Sequence, residues 1–367
     1  MAASYDIAVF DGDGIGPEIM APTLQVLDAV NKRVGDVSFK YKHLDAGALH
    51  YTKTGEDLPE ASVEAARAAD AILLSAMGLP DVRKADGTEL TPQISIRIKL
   101  GLYAGVRPVK IVANQPTPLK DPRVETVDFI LVRESTEGLF AHMNEGKVVD
   151  DLYAIETMRI TRKTSEKLFD FSFRLAEQRA KKLGRKGKVT CVDKANVFTS
   201  FAWFRSIFEE RAKKFPNLDH DAAYVDAFAM WMVQRPWDFD VVVTENMFGD
   251  ILSDLGAGII GSLGLAPSAD IGDHNALFQP CHGTAPDIVG KGLANPIAMF
   301  LSGAMMLDWL AVKYEDAKLA KAAELLNAAV NEVISSGAGL TKDLGGDCGT
   351  QGCTDAVLRN IAQIELI

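Results

Sequence analysis

The chain has 367 residues, 47% of them hydrophobic and 24% charged, which suits a globular protein too long for one small core. A formal net charge of −11 with no basic stripe argues against a nucleic-acid partner. The longest apolar stretches are broken by Gly, Pro or charge short of the roughly 18 residues a membrane span needs, and residues 1–6 hold no basic residue, so the expectation is a cytoplasmic protein without a membrane partner.

Along the chain, short apolar runs alternate with helical patterns, which predicts an α/β fold. Ile7 to Phe10 reads as a strand, and Pro17 to Asn31 as a helix with proline near its start, where a missing N–H is harmless. A helix over Glu60 to Ala69 precedes a buried strand, Ala71 to Ser75. Ile130 to Val132 and Val241 to Thr244 read as strand ends. Thr164 to Leu183 is one long amphipathic helix, followed by a strand over Val189 to Asp193 and a helix over Ser200 to Lys214. A Gly-rich apolar helix is expected over Gly249 to Gly264, and nearly continuous helix over Leu301 to Ile334, interrupted near Tyr314. The one dense basic run, Arg179 to Lys188, reads as solvated charge complementing a helix C-terminus. Cys191, Cys281, Cys348 and Cys353 read as free thiols, because no second pair or histidine completes a zinc site near Cys348 and Cys353.

Five segments carry chemistry. In FDGDGIGPEI, Gly12, Gly14 and Gly16 alternate where a strand turns into a helix; the spacing is not that of the dinucleotide fingerprint, and a tight turn and a cofactor contact are both open. In the second, Arg97, Arg107 and Arg133 flank apolar segments, and planar guanidinium forks match the two oxygens of a carboxylate. The third is acidic: Asp226, then Asp250 and Asp254 at i and i+4, which share one helix face and repel unless a hard divalent ion neutralises them. Lys194, in VDKANVF, follows an apolar strand; a lysine near a metal and out of bulk water can act as a base. Last, His282 to Pro296 is a Gly/Pro loop whose N–H groups suit phosphates, and Asp287 there could accept hydrogen bonds from a ribose diol while repelling a 2′-phosphate, favouring NAD over NADP.

Taken together, GDGIGPE, the Arg97–Arg107–Pro108 run, DKAN, YVDA, NMFGDILSD and HGTAPDI resemble, in order and over nearly the whole chain, the β-decarboxylating dehydrogenase family of isopropylmalate, isocitrate, homoisocitrate and tartrate/D-malate dehydrogenases. The resemblance implies an isopropylmalate dehydrogenase-like two-domain α/β fold, not a Rossmann fold. Residues 1–105 and 262–367 would form a large domain with the cofactor loops, and 106–261 a central substrate, metal and dimerisation domain. It implies that Arg97, Arg107 and Arg133 grip the substrate carboxylates and that Asn196 sits beside Lys194; Gln93, just before Arg97, could hydrogen-bond a polar substituent of the substrate. Asp250 and Asp254, with Asp226 of a partner subunit, would hold Mg²⁺ or Mn²⁺. Lys194, also from the partner, would take the hydroxyl proton. Gly14 and Ile15 would lie near the nicotinamide of NAD, and His282, Gly283, Thr284, Ala285, Pro286, Asp287 and Asn295 would hold its adenosine half. The active sites of a homodimer would thus be shared.

One departure stands out. Family members usually place a tyrosine seven residues after the third arginine, where it helps the final protonation; here that residue is Phe140, which has no proton to give. Either Lys194, His142 or water would then serve, or decarboxylation would be impaired. Before Arg97, the run ELTPQISIR offers Thr91, Gln93 and Ile94, matching neither the leucines of isopropylmalate enzymes nor the Ser and Asn of isocitrate enzymes. 3-Isopropylmalate ranks first as substrate, then tartrate/D-malate-type acids, then isocitrate or homoisocitrate. A non-catalytic regulatory subunit is the rival class, although the aspartates and lysine whose loss would mark one are all present.

Overall fold

The computed structural model of the chain describes residues 3–143 and 145–365. In chain order it runs β1 (Ala3–Phe10), α1 (Gly16–Val34), β2 (Val37–His43), α2 (Ala48–Thr54), α3 (Glu60–Ala68), β3 (Ala71–Leu74) and α4 (Pro92–Leu100). Next come β4 (Ala104–Lys110), β5 (Asp128–Glu134), β6 (Lys147–Val149), β7 (Tyr153–Ile155), α5 (Arg162–Leu183), β8 (Lys188–Asp193), α6 (Thr199–Ala212), β9 (Asp219–Tyr224), α7 (Val225–Gln234), β10 (Val241–Thr244) and α8 (Asn246–Ile259). The chain closes with β11 (Pro267–Ile271), β12 (Ala276–Pro280), α9 (Ile297–Tyr314), α10 (Ala317–Ser336) and α11 (Thr350–Gln363).

The chain divides into two compact units. One comprises residues 1–100, 112–118 and 260–367, the other 101–111 and 119–259. The sequence placed the borders at 105/106 and 261/262; the compact units break a few residues earlier and return 112–118 to the terminal unit.

In the terminal unit the strand order is β2-β1-β3-β12-β11. All neighbours are parallel except β11 and β12, which form an antiparallel hairpin. β3 is AILL and every residue of it is buried, as expected for a parallel strand covered on both faces. α9 corrects one expectation. It is 18 residues long and apolar enough, by length and composition, to cross a membrane, and it tolerates the charged residues that appeared to interrupt it. Its Ile297, Phe300, Met306, Leu307 and Leu310 are fully buried in the unit's core, which accounts for the composition.

In the central unit the order is β4-β5-β10-β8-β9, with only β4 antiparallel to its neighbour. The long helix α5 starts at Thr161, whose side chain accepts from the Thr164 N–H, and stops at Gly184 in the left-handed conformation. Its Leu168, Phe169, Ser172, Phe173 and Ala176 recur at helical spacing and face the core. There Phe173 stacks on Phe208 at 5.3 Å, over Val189, Cys191, Val241 and Val243. Each such phenyl removed from water contributes about 2–3 kcal/mol. The Gly-rich helix expected as far as Gly264 stops at Ile259. Gly261 adopts φ +105°, and a Cβ there would lie 2.1 Å from the Pro116 carbonyl oxygen, so the chain must turn on a residue without one.

Candidate active site

Two of the three arginines stand together in the central unit. In the β4–β5 register Arg107 lies opposite Leu131 and Gly105 opposite Arg133, so alternation puts both guanidinium groups on the same sheet face, one diagonal step apart. Both residues are buried. Arg133 is held by Asn246 at the start of α8: its Nε and Nη2 donate to the Asn246 amide oxygen at 2.9 and 2.7 Å. Its Nη1 pairs with Asp250 one turn further along. Gly249 makes this approach possible, since a Cβ there would lie 2.5 Å from the Arg133 side chain. Burial, then the like charge of Asp250, pushes the Asp254 carboxyl above its ordinary range, while Arg133 and Arg107 pull it back. Asp250 and Asp254 thus form a like-charged pair of hard oxygen donors facing two cations, which fits a divalent ion better than it fits an unoccupied helix surface.

Asp226 is not with them. Among the described residues of one chain no three His, Cys, Asp or Glu side chains are gathered closely enough to hold a metal. Asp226 instead accepts from Lys194 Nζ at 2.5 Å, and that bond holds its carboxyl below the usual range. The parallel register of β8 and β9 pairs Asp193 with Tyr224, so the residues just past each strand end become neighbours. The turn carrying Lys194 is fixed by the fully buried Asp193, which accepts from the Ala195 N–H at 2.8 Å and pairs with Arg205. Asn196 in the same turn is exposed. Phe140 lies on a short 3₁₀ turn, Leu139–His142, with its ring centroid 5.3 Å from the Arg133 guanidinium carbon. His142 shares a hydrogen bond with Glu145 at 2.8 Å.

In the terminal unit the two glycine-bearing loops meet. The Ile15 N–H donates to the Thr284 carbonyl at 3.0 Å. Gly14 has φ +60°, and a Cβ on it would lie 2.3 Å from that same oxygen. The buried Asp13 anchors this turn by accepting from the N–H groups of Ala48, Leu49 and Gly78 at 2.7 to 2.9 Å. Ala285 is left-handed at φ 39°, steering the chain into Pro286 and the exposed Asp287. His282 Nε2 is buried without a protein partner, and burial lowers the ring's proton affinity. Gly283, next to it, is exposed. The orphaned His282 nitrogen and the exposed Gly283 and Asp287 lie on one loop, whose residues could hold the adenosine half of a dinucleotide. Asn295 differs from the rest: its amide nitrogen donates to Asp343 at 3.0 Å and its oxygen accepts from the Ile297 N–H at 3.0 Å, so its side chain is used inside the protein.

Arg97, in the same unit, is buried in the last turn of α4, with Nε 3.3 Å from the fully buried Asp270 carboxylate. The pair is close enough for charge attraction but misaligned for a hydrogen bond, and Nε is left without an acceptor. Gln93, one turn earlier on the same helix face, has a buried side-chain oxygen without a donor.

The sequence reading gave no role to Asn246, Asp13, Asp270 or Asp343, the groups that hold these side chains in place. Nor did it see Glu134 and Glu245. Burial pushes Glu134 up to about 7 even though Thr136 and the Glu137 N–H bond to it, and Glu245 is raised by the same desolvation. A residue-type signal existed, since several of these carboxyl groups interrupt apolar runs, but nothing local named their partners. The basic run Arg179 to Lys188 is not merely solvated: Arg179 and Arg185 pair with Asp240, Lys186 with Asp219 and Lys188 with Asp221. All four cysteines are free, and burial raises the Cys353 thiol to about 12, far from thiolate chemistry.

The family described as isocitrate/isopropylmalate dehydrogenase matches residues 6–357. The 3-isopropylmalate dehydrogenase of Aquifex aeolicus is 40% identical over 370 residues, covering 98% of both chains. The 3-isopropylmalate/3-methylmalate dehydrogenase of Methanocaldococcus jannaschii is also 40% identical, over 98% of this chain and 99% of its own. Among solved structures, isocitrate dehydrogenase from Methylococcus capsulatus superposes with a TM-score of 0.85 at 37% identity, covering 98% of this chain and 100% of that one. A β-decarboxylating dehydrogenase from Thermococcus kodakarensis gives a TM-score of 0.77 at 35% identity, covering 98% and 96%.

Proposed function

Since the chain belongs to the isocitrate/isopropylmalate dehydrogenase family and is a decarboxylating dehydrogenase of a hydroxy acid, we propose that it oxidises and decarboxylates 3-isopropylmalate, using NAD and Mg²⁺ or Mn²⁺, as a cytoplasmic homodimer with shared active sites. The observation that carries this reading is the convergence of Arg107 and Arg133 from one sheet face on Asp250 and Asp254. Cations and paired carboxylates side by side suit a carboxylate substrate bound next to a divalent ion. The isopropylmalate assignment follows the names of the 40%-identical relatives. Tartrate/D-malate-type acids, isocitrate and homoisocitrate are the alternatives.

In this reading Asp250 and Asp254 of one subunit and Asp226 of the other hold the metal, and the loops at Gly14–Ile15 and His282–Asp287 hold NAD. When bound, the divalent ion supplies Lewis acidity to the oxygens of the hydroxy acid, and NAD⁺ takes up the hydride. Arg107 and Arg133 fix the carboxylates, and Arg97, Gln93 and Asn196 are the further substrate-binding residues of this reading. Lys194 removes the hydroxyl proton; within its own chain it is already poised on Asp226 at 2.5 Å. Phe140 cannot return a proton to the carbon left after CO₂ departs, so oxidation survives while the protonation is either slow or rerouted through Lys194, His142 or water. Support for the dimer comes from exposed apolar residues in the central unit: Met230 and Val233 on α7, Ile251 on α8, and Val148, Leu152 and Ile155 around the β6–β7 ribbon.

The test is NADH formation with a panel of hydroxy acids, with NAD and NADP side by side, with and without Mg²⁺ and a chelator, and with CO₂ measured in parallel. The expected result is chelator-sensitive turnover of 3-isopropylmalate with NAD. Turnover of another panel member alone would reassign the substrate, and no turnover of any acid would favour a non-catalytic subunit.

A further inference from the structure

We propose that Asp270 is a positioning residue for Arg97: it supplies the counter-charge that lets the guanidinium stay buried while leaving its N–H groups for a substrate carboxylate. This rests on the reading of Arg97 as a substrate-binding residue.

The Arg97 side chain is 10% exposed and that of Asp270 0%. An arginine so far from water needs an opposite charge close by, because an uncompensated guanidinium in a low-dielectric surrounding is strongly unfavourable. Asp270 provides it from β11. The carboxylate is itself held in place. Ser268 lies opposite Gln279 in the β11–β12 hairpin, so Asp270, two residues on, shares the face of Gln279. The Gln279 amide reaches across and donates to Asp270 Oδ2 at 2.8 Å.

An ion pair that served stability alone would use the arginine fork, with parallel N–H groups aligned on both carboxylate oxygens. That arrangement is present elsewhere in this chain, where Arg205 Nε and Nη2 each donate to Asp193 at 2.8 Å. Arg97 is different. Its Nε comes within 3.3 Å of Asp270 Oδ2 without hydrogen-bond alignment, and the Nε–H has no acceptor. Buried polar groups without partners are uncommon, and here a second one, the Gln93 side-chain oxygen, lies one helical turn away on the same face. Asp270 therefore balances the charge from the Nε side without taking a hydrogen bond from the guanidinium, and the terminal Nη groups keep their N–H donors for a substrate carboxylate.

The experiment is a double-mutant cycle on the intact enzyme, with 3-isopropylmalate as the first probe and otherwise whichever panel acid is turned over. Asp270→Asn keeps the shape and removes the charge. It is expected to raise KM for the hydroxy acid about tenfold, with a smaller change in kcat, while KM for NAD is unaffected. In an Arg97→Lys background the same change should add less than about threefold, because the two residues act as a unit. An unchanged or lowered KM in Asp270→Asn, or effects that multiply independently, would overturn the proposal; a fall in Tm with KM unmoved would mark Asp270 as structural only. Should Asp270→Asn fail to fold, Gln279→Met loosens the carboxylate without deleting it, and KM must rise in the same direction by a smaller factor. Arg97→Lys on its own separates the two levels of the argument. If it leaves KM unchanged, or if no acid is turned over, the substrate-binding reading of Arg97 fails and this inference fails with it. If Arg97→Lys raises KM and Asp270→Asn does not, only the role of Asp270 is lost.

Discussion

The loop pair of the terminal unit and the charged cluster of the central unit are built on opposite principles. Gly14, Ile15 and Thr284 are locked by backbone: one N–H to carbonyl bond at 3.0 Å and a glycine that no other residue replaces without collision. Arg107, Arg133, Asn246, Asp250 and Asp254 are locked by side chains, on two strands and a helix whose backbones are already satisfied. The first arrangement is intolerant of added volume at Gly14. The second depends on paired charge. A pocket for an extended cofactor and a seat for a compact anion make these different demands.

The comparison breaks most visibly at Lys194. Lys194→Met is expected to lower kcat by about 10²–10⁴-fold if this amine moves the proton. Its Asp226 partner is exposed, so the midpoint of thermal unfolding should barely move. A variant with near-normal kcat would remove Lys194 from the chemistry.

A second, intermediate effect is expected from pH. Glu134 is buried, and desolvation of its anion pushes the carboxyl up to about 7 from an ordinary 4.5. Its folded-state pKa lies above its unfolded one. The stability associated with its neutral form is therefore complete below about pH 4.5 and is lost as pH rises through about 7, an effect of order 3 kcal/mol. Denaturant unfolding of Glu134→Gln and the parent across pH 4 to 8 isolates it: the difference between the two curves should slope over this window and flatten above it. Parallel curves would show that Glu134 titrates normally.

The smallest of the three effects belongs to the loop pair. Gly14→Ala places a methyl group against the Thr284 carbonyl at positive φ and should destabilise the terminal unit by about 2 kcal/mol. In steady-state kinetics KM for NAD should rise while KM for the hydroxy acid stays put. If the hydroxy-acid KM rises instead, the division of labour between the two regions is wrong.

Much of the fold was legible because it is written locally. The apolar spacing of Leu168, Phe169, Phe173 and Ala176 predicts α5 within two residues at its start and correctly at its end, since Gly184 supplies a stop signal in the sequence itself. Gly261 ended α8 earlier than composition suggested, because what forced the turn was Pro116, distant in sequence and invisible to a periodicity argument. The same distinction runs through the site. Asp250 and Asp254 could be placed on one helix face by counting, whereas the Lys194–Asp226 bond needed the β8–β9 register.

The sequence by itself determined which residue types stood ready for chemistry, the helical face shared by Asp250 and Asp254, and the order of motifs by which the chain is recognised as a hydroxy-acid dehydrogenase. Only the tertiary structure decided what each buried charge leans on: Arg133 on Asn246, 113 positions away, and Arg97 on Asp270. The physical reason is that periodicity and turn chemistry act over a few residues, whereas a charge removed from water takes its partner from whatever the folded chain brings within a few ångströms.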